Sequence, residues 1–201
     1  MKMDDTLVPT RSYRQKVRAA AAEASSKRIL EAFLKRAETG WFEDITLDAL
    51  AQDAGVTVQT VIRKYGGKAG LLKAASGHLG KLVTVRRTAK AGDIDRLIDA
   101  LTVDYEASGR LVVRLLSQEE KHSVLKPSVD SGRQFHRDWL SSVFAETLEP
   151  LTPARCTACL DALVVATDVY VWKLVRVDMG RPVSAYKTIV KRMVRAALQG
   201  E

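Results

Sequence analysis

Residues Thr46 to Lys68 read TLDALAQDAGVTVQTVIRKYGGK, and this stretch decides the fold. Leu47, Leu50, Ala51 and Ala54 form one apolar face at helical spacing. Gly55 follows, where a tight turn needs a residue that accepts positive φ. Thr57 offers an N-cap oxygen to a second short helix, with Val58, Val61 and Ile62 as its inner face. Thr57, Gln59, Thr60, Arg63 and Lys64 then point outward, side chains suited to base edges and phosphates. Gly66-Gly67 ends the second helix and Lys68 opens the next. A lysine there opposes the helix dipole by about 0.3–1 kcal/mol. An anion bound at that helix end reverses the sign, and a DNA phosphate is the obvious candidate. Periodicity alone also fits a helical hairpin inside an ordinary bundle. Such a hairpin needs neither Gln59-Thr60 nor Lys68, and the combination points to a helix-turn-helix.

Charge supplies an independent observation. Through Lys90 the chain carries 17 Lys and Arg against 9 Asp and Glu, and from Ala91 onward 15 against 15. The whole formal excess of +8 therefore lies in the part that holds the motif. A basic half joined to a neutral half is an electrostatic footprint of nucleic-acid binding, and attraction to an anionic membrane surface would leave the same mark.

These residues resemble the tetracycline-repressor (TetR) family. The family's pattern is a buried helix, a G-V-S/T turn, a short recognition helix ending in an aromatic, and a lysine starting the fourth helix. Here it reads Ala51, Gly55-Val56-Thr57, Val58 to Tyr65, and Lys68. The upstream ILEAFLKRAETGWFEDIT is similar to the family's first helix and its connection, with Gly40 ending the helix. The specific match covers roughly residues 25–80. One departure is Ile62, where many members carry a tyrosine used on a phosphate, so that contact is lost or moved.

The resemblance implies an all-α fold, with an N-terminal helix-turn-helix DNA-binding domain and a C-terminal helical effector-binding and dimerisation domain. It implies DNA contacts at Thr46, Thr57, Val58, Gln59, Thr60, Arg63, Lys64, Tyr65 and Lys68. The implied function is a homodimeric transcriptional regulator, a repressor of a pseudo-palindromic double-stranded DNA operator, released by a small effector. The alternative is an effector-independent or architectural DNA-binding protein. No Ser/His/Asp set, metal-ligand cluster or Gly-rich phosphate loop suggests an enzyme, a cofactor or a metal.

The organisation reads as a tail over 1–11, a DNA-binding domain over 12–90 that includes a linking fourth helix, and an effector and dimerisation domain over 91–201. The first helix spans 12–39, with Val17, Ile29, Leu30, Phe33, Leu34 and Ala37 inward. Its early part outruns what a core requires, so Arg11, Arg14, Lys16 and Arg18 form either a DNA arm or a solvated extension. The fourth helix runs from Lys68 toward Arg87, with Leu71, Leu72, Leu79, Leu82 and Val83 inward. Gly77 and Gly80 weaken it by about 1 kcal/mol each relative to alanine. Beyond Gly92 come helices over 94–107 and 110–122, separated at Gly109, then one opened by Pro127. A long helix over 154–178 and a last one over 183–198 complete the chain. Cys156 and Cys159 share a helical pattern, which suits small core residues better than a redox or metal pair.

The two final helices carry more apolar residues than one packed face requires. They predict a dimer interface at Leu163, Tyr170, Leu174, Tyr186, Ile189, Val190, Met193 and Val194, the other reading being a fully buried monomer helix. An effector pocket is expected among Tyr105, His122, Phe135, His136, Trp139, Asp168, Tyr170 and Trp172, suited to a small apolar or amphipathic molecule. Asp168 has no basic residue three or four positions away, so its charge must reach solvent, a partner helix or a ligand. The first ten residues lack the apolar core of a secretory signal, and no apolar run spans a membrane without charges. A soluble, cytoplasmic protein is expected.

Overall fold

The computed structural model describes residues 11–199, without the side chains of Arg11, Ser12 and Arg14, so most of the expected tail lies outside the described residues. Among the described residues ten α-helices follow one another: α1 (Arg11–Thr39), α2 (Leu47–Ala54), α3 (Val58–Tyr65), α4 (Lys68–Arg86), α5 (Ile94–Leu116), α6 (Lys126–Val143), α7 (Ala145–Leu148), α8 (Pro153–Ala166), α9 (Val169–Trp172) and α10 (Val183–Gln199). A 3-10 turn, Ser123–Leu125, precedes α6, and a π-helical turn, Lys173–Asp178, follows α9. Among the described residues there is no strand, as an all-α reading requires.

Local chemistry sets the ends of α2 and α3. The Thr46 hydroxyl accepts the amide of Ala49 at 3.2 Å, and that of Thr57 accepts the amide of Thr60 at 3.2 Å. Each side-chain oxygen satisfies a backbone donor that the helix itself leaves open. Gly55 at φ 61° and Gly66 at φ 71° then turn the chain through the left-handed region, where a Cβ would add strain. Ile29, Phe33, Leu50, Val61 and Leu71, each almost wholly buried, close a core beneath the two short helices. Arg36 holds α1 against α2 through a paired contact to Asp53 at 2.6 and 3.0 Å.

Three residues expected inward face out. Val17 is 50% exposed because residues 15–24 of α1 extend beyond the core and are exposed throughout. Ile62 is 41% exposed because α3 turns Val58, Val61 and Tyr65 toward the core, which leaves Ile62 on its flank. Leu82 lies on the outer side of α4.

The C-terminal half departs from the expected helix boundaries at two places. The helices expected on either side of Gly109 are one, α5, which stops at Leu116, short of the expected end at His122. A Cβ on Gly109 would stand 2.6–2.9 Å from carbons of the Trp172 indole, so this glycine makes room for a ring and does not stop the helix. The long helix expected over 154–178 breaks after Ala166, and Asp168 caps α9 by accepting the Tyr170 amide at 2.8 Å. The core of this half gathers Leu97, Leu101, Leu140, Leu163, Tyr186 and Val190 from α5, α6, α8 and α10, with Phe144 from the junction of α6 and α7.

α5 also reaches into the N-terminal core. Leu111 and Leu125 are buried among the residues beneath α2 and α3. Gln118, 1% exposed, accepts the Phe42 amide at 2.6 Å, and Arg114 donates to the Thr39 carbonyl at 3.1 Å. The end of α5 thus buttresses the loop that enters the helix-turn-helix.

Candidate nucleic-acid interface and effector cavity

α3 presents its polar side outward as the spacing predicts. Gln59 and Arg63 are exposed and make no hydrogen bond or ion pair among the described residues. The Thr57 and Thr60 hydroxyls lie 2.9 Å apart and are shared between capping and the open surface. Thr46 is exposed at the start of α2, and Val58 is half-buried. Lys64 and Tyr65 are drawn the other way, toward α1. The Lys64 ammonium donates to the Ala22 carbonyl at 2.9 Å and to the Ser26 hydroxyl, while Tyr65 reaches the Ser26 carbonyl at 3.5 Å. Both residues moor α3 to α1 in this conformation.

Lys68 also differs from the simple expectation. Its side chain folds back over the Phe42 ring, 4.4 Å from the centroid, and donates to the Glu43 carbonyl at 3.0 Å. Burial lowers its pKa, while Asp44 and Glu43 pull the other way. What α4 leaves open is its backbone, because Gly67 at the N-cap supplies no side-chain acceptor. Those first-turn amides can meet an anion without the lysine. Gly70 matters here and escaped notice in the sequence: a Cβ would collide with the Tyr65 carbonyl oxygen, so its bare backbone lets α4 close against the end of α3. In the possible arm, Lys16 and Arg18 are exposed on α1, and the side chains of Arg11 and Arg14 lie outside the described residues.

A cavity of about 600 Å³ opens between α4, α5, α6 and the α8–α9 break. Of the expected pocket residues, Tyr105, Phe135, His136, Asp168 and Tyr170 line it. The other three stand elsewhere. His122 packs on Phe42 and lies 3.4 Å from a Glu43 oxygen, beside the α1–α2 loop. Trp172 fills the notch at Gly109 and donates its indole N–H to Glu106 at 2.8 Å. Trp139 floors a separate surface depression near Thr88 and Lys90. Gly77, Gly80 and Gly132 line the cavity with no atom within 4 Å of a would-be Cβ, so here the α4 glycines widen a void.

A buried polar chain closes one end of this cavity. Arg87, the residue after α4, donates from Nε to Asp104 at 2.7 Å, and its Nη1 lies 2.6 Å from Nδ1 of His136. Arginine can only donate, so Nδ1 is the imidazole's acceptor and Nε2 carries the proton. Nε2 therefore donates to the Thr167 hydroxyl at 3.0 Å, and that hydroxyl donates to the Leu163 carbonyl at 2.7 Å. Tyr105 donates to the Thr167 carbonyl at 3.0 Å. Burial, with help from the Arg87 charge, pushes His136 down to about 3, so the ring is neutral at physiological pH. The chain joins the end of α4 to the α8–α9 break. Arg87 and Asp104 were not singled out in the sequence, although a signal existed. Leu97, Leu101, Asp104, Ser108 and Leu111 recur at helical spacing, and a carboxylate on that stripe demands a buried cation.

The expected dimer residues divide. Leu163, Tyr186, Val190 and Val194 are 0% exposed inside their own subunit, so they belong to its core and cannot present an interface in this conformation. Ile189 and Met193 are half-buried, and Tyr170 and Leu174 are about half exposed. Val165 on α8, which the sequence pattern does not single out, is 63% exposed. Cys156 and Cys159 are free thiols packed against the core, and Cys159 lies 3.4 Å from the Ala197 carbonyl. Burial raises the Cys159 pKa, with Cys156 adding to the effect. Among the described residues no three His, Cys, Asp or Glu side chains gather as a metal site, and no helix is long and apolar enough to cross a membrane.

No family model matches the sequence, and no curated protein matches it. Solved structures do share the fold. A transcriptional regulator from Rhodococcus sp. Rha1 superposes with a TM-score of 0.68 at 18% identity, covering 87% of this chain and 96% of its own. A TetR-family transcriptional regulator from Streptomyces coelicolor gives 0.69 at 17% identity, over 89% of this chain and 81% of its own. The helix-turn-helix and the helical half behind it are therefore arranged as in these regulators.

Proposed function

We propose that this chain is a TetR-like transcriptional regulator that binds a pseudo-palindromic operator through α3. One observation carries the reading: Gln59 and Arg63 stand exposed and unengaged on a short helix capped at both ends, in the half that holds the chain's positive excess. Two such side chains can read base edges in the major groove, where an amide pairs with adenine and a guanidinium with guanine. The open amides of α4 supply phosphate contacts that set register. The folds of the two solved regulators agree with this assignment.

One α3 reads few bases, so specificity calls for two copies across a two-fold axis. The face offered is the outer side of α8, where Ala158, Ala162 and Val165 are exposed, together with Tyr170 and Leu174. The cavity beside α4 is the effector site. Its occupant changes operator affinity by favouring one setting of α4, which carries the helix-turn-helix at one end and Arg87 at the other. Release by the effector makes the protein a repressor.

Selection of duplexes from a random pool by the purified protein tests this directly. Enrichment of a pseudo-palindrome, with half-sites about 10 base pairs apart or a multiple, is the expected result. Recovery of unselected sequence contradicts it. In sedimentation the wild type is a dimer, and Val165→Glu is a folded monomer with reduced operator affinity.

A further inference from the structure

We propose that the cavity binds a cationic amphiphile, an alkyl- or arylammonium whose charged head rests on Asp168. This deepens the reading of the cavity as an effector site and depends on it.

The charged residues on the cavity wall are unequal. Arg87 is matched by Asp104 at 2.7 Å, with His136 on its other nitrogen. Arg133 is held by Glu119 and by Asp130 at 3.1 Å. Lys73 is exposed on α4, where water solvates it. Asp168 alone combines partial burial with the lack of a cation within 4 Å among the described residues. Oδ1 accepts the Tyr170 amide at 2.8 Å, and Oδ2 makes no hydrogen bond. A half-buried carboxylate with a free oxygen gains more from a cation than from any other head group.

The surroundings favour the same choice. Tyr170 and Phe135 line the cavity. The Arg87 guanidinium lies over the Phe135 ring at 5.9 Å, so Tyr170 is the one of the two left to a ligand, and aromatic rings attract cations and repel anions at their faces. Of the cations on the wall, Arg87 and Arg133 are already paired, which leaves an anionic head only Lys73, exposed to solvent. The remaining wall is largely aliphatic, with Leu72, Val112, Leu116 and Val169, which suits a hydrocarbon body.

Three ligands with one chain and different heads test the proposal: dodecylammonium, dodecanol and dodecanoate, below their micelle concentrations, titrated calorimetrically into the full chain. Asp168→Asn is the matched variant, because asparagine caps a helix as well as aspartate does. The wild type binds dodecylammonium at least about tenfold more tightly than dodecanol. Asp168→Asn loses that advantage and leaves dodecanol binding unchanged. Equal or tighter binding of dodecanol or dodecanoate, binding by none of the three, or an advantage that survives Asp168→Asn overturns the proposal. Operator binding followed in the same samples separates the two readings. Release of operator DNA by dodecanol or dodecanoate keeps the effector site and removes the cation. An ammonium preference in a protein that selects no operator keeps the cation site and removes the regulator.

Discussion

The N-terminal and C-terminal halves are both helical, yet they are specified by different means. In the N-terminal half α2 and α3 begin and end on residues that act within their own turns: Thr46 and Thr57 cap, while Gly55 and Gly66 reverse the chain. In the C-terminal half the decisive contacts lie far apart in sequence. Gly109 answers to Trp172, Arg87 to Asp104 and His136, and His136 to Thr167. The half that holds the helix-turn-helix is set by local chemistry. The half that holds the cavity is set by long-range pairing, and its shape can shift when one partner moves.

The strongest challenge to this contrast is removal of one member of the buried chain. Asp104→Ala leaves the Arg87 guanidinium buried without its carboxylate and should cost about 3–5 kcal/mol of stability. Denaturant unfolding measures the loss. A change below about 1 kcal/mol would mean that the chain does not hold the C-terminal half together.

Two glycines come next. Gly109→Ala forces a methyl into the Trp172 ring, and Gly70→Ala forces one into the Tyr65 carbonyl. Each should cost about 1–3 kcal/mol as overpacking. Their readouts differ: Gly109→Ala shifts the fluorescence of Trp172, whereas Gly70→Ala leaves that signal alone and weakens DNA binding through a displaced α3. Identical signatures from both variants would erase the distinction between the halves.

His136 adds a pH dependence that belongs to the cavity half. Its folded pKa, about 3, lies below the ordinary histidine value. The unfolded chain therefore binds more protons between about pH 6.5 and 3. Stability from this group is complete above that window and falls as pH drops through it, by up to about 1.4 kcal/mol per pH unit. His136→Gln should flatten that part of the stability–pH curve. The smallest effect is local. Thr57→Ala removes one cap and should cost about 1 kcal/mol, with helix loss confined to α3 as judged by amide exchange.

The same contrast explains what could be read in the sequence. The helix-turn-helix, both of its caps and the outward Gln59 and Arg63 were legible because the signals lie within a few residues of one another. Ile62 was misplaced because an eight-residue helix tolerates either of two apolar stripes until the core chooses one. Gly109 reads as a helix end in the sequence, since nothing near it announces the distant Trp172 indole. Val190 and Val194 read as partner-facing in the sequence although α5 and α8 cover them, because apolar periodicity does not say which surface does the covering. Asp168 was recognised as unusual, and its work as the cap of α9 emerged only with the break after Ala166.

The central claim is that α3 reads base edges. Affinity of the wild type and of Arg63→Ala for a selected operator and for all its single-base variants tests this most directly. The wild type should discriminate at defined positions of each half-site. Arg63→Ala should lose about 1–3 kcal/mol of that discrimination at one position per half-site and keep it elsewhere. A uniform loss across every sequence, with discrimination intact at all positions, would contradict the claim and reduce Arg63 to a phosphate contact.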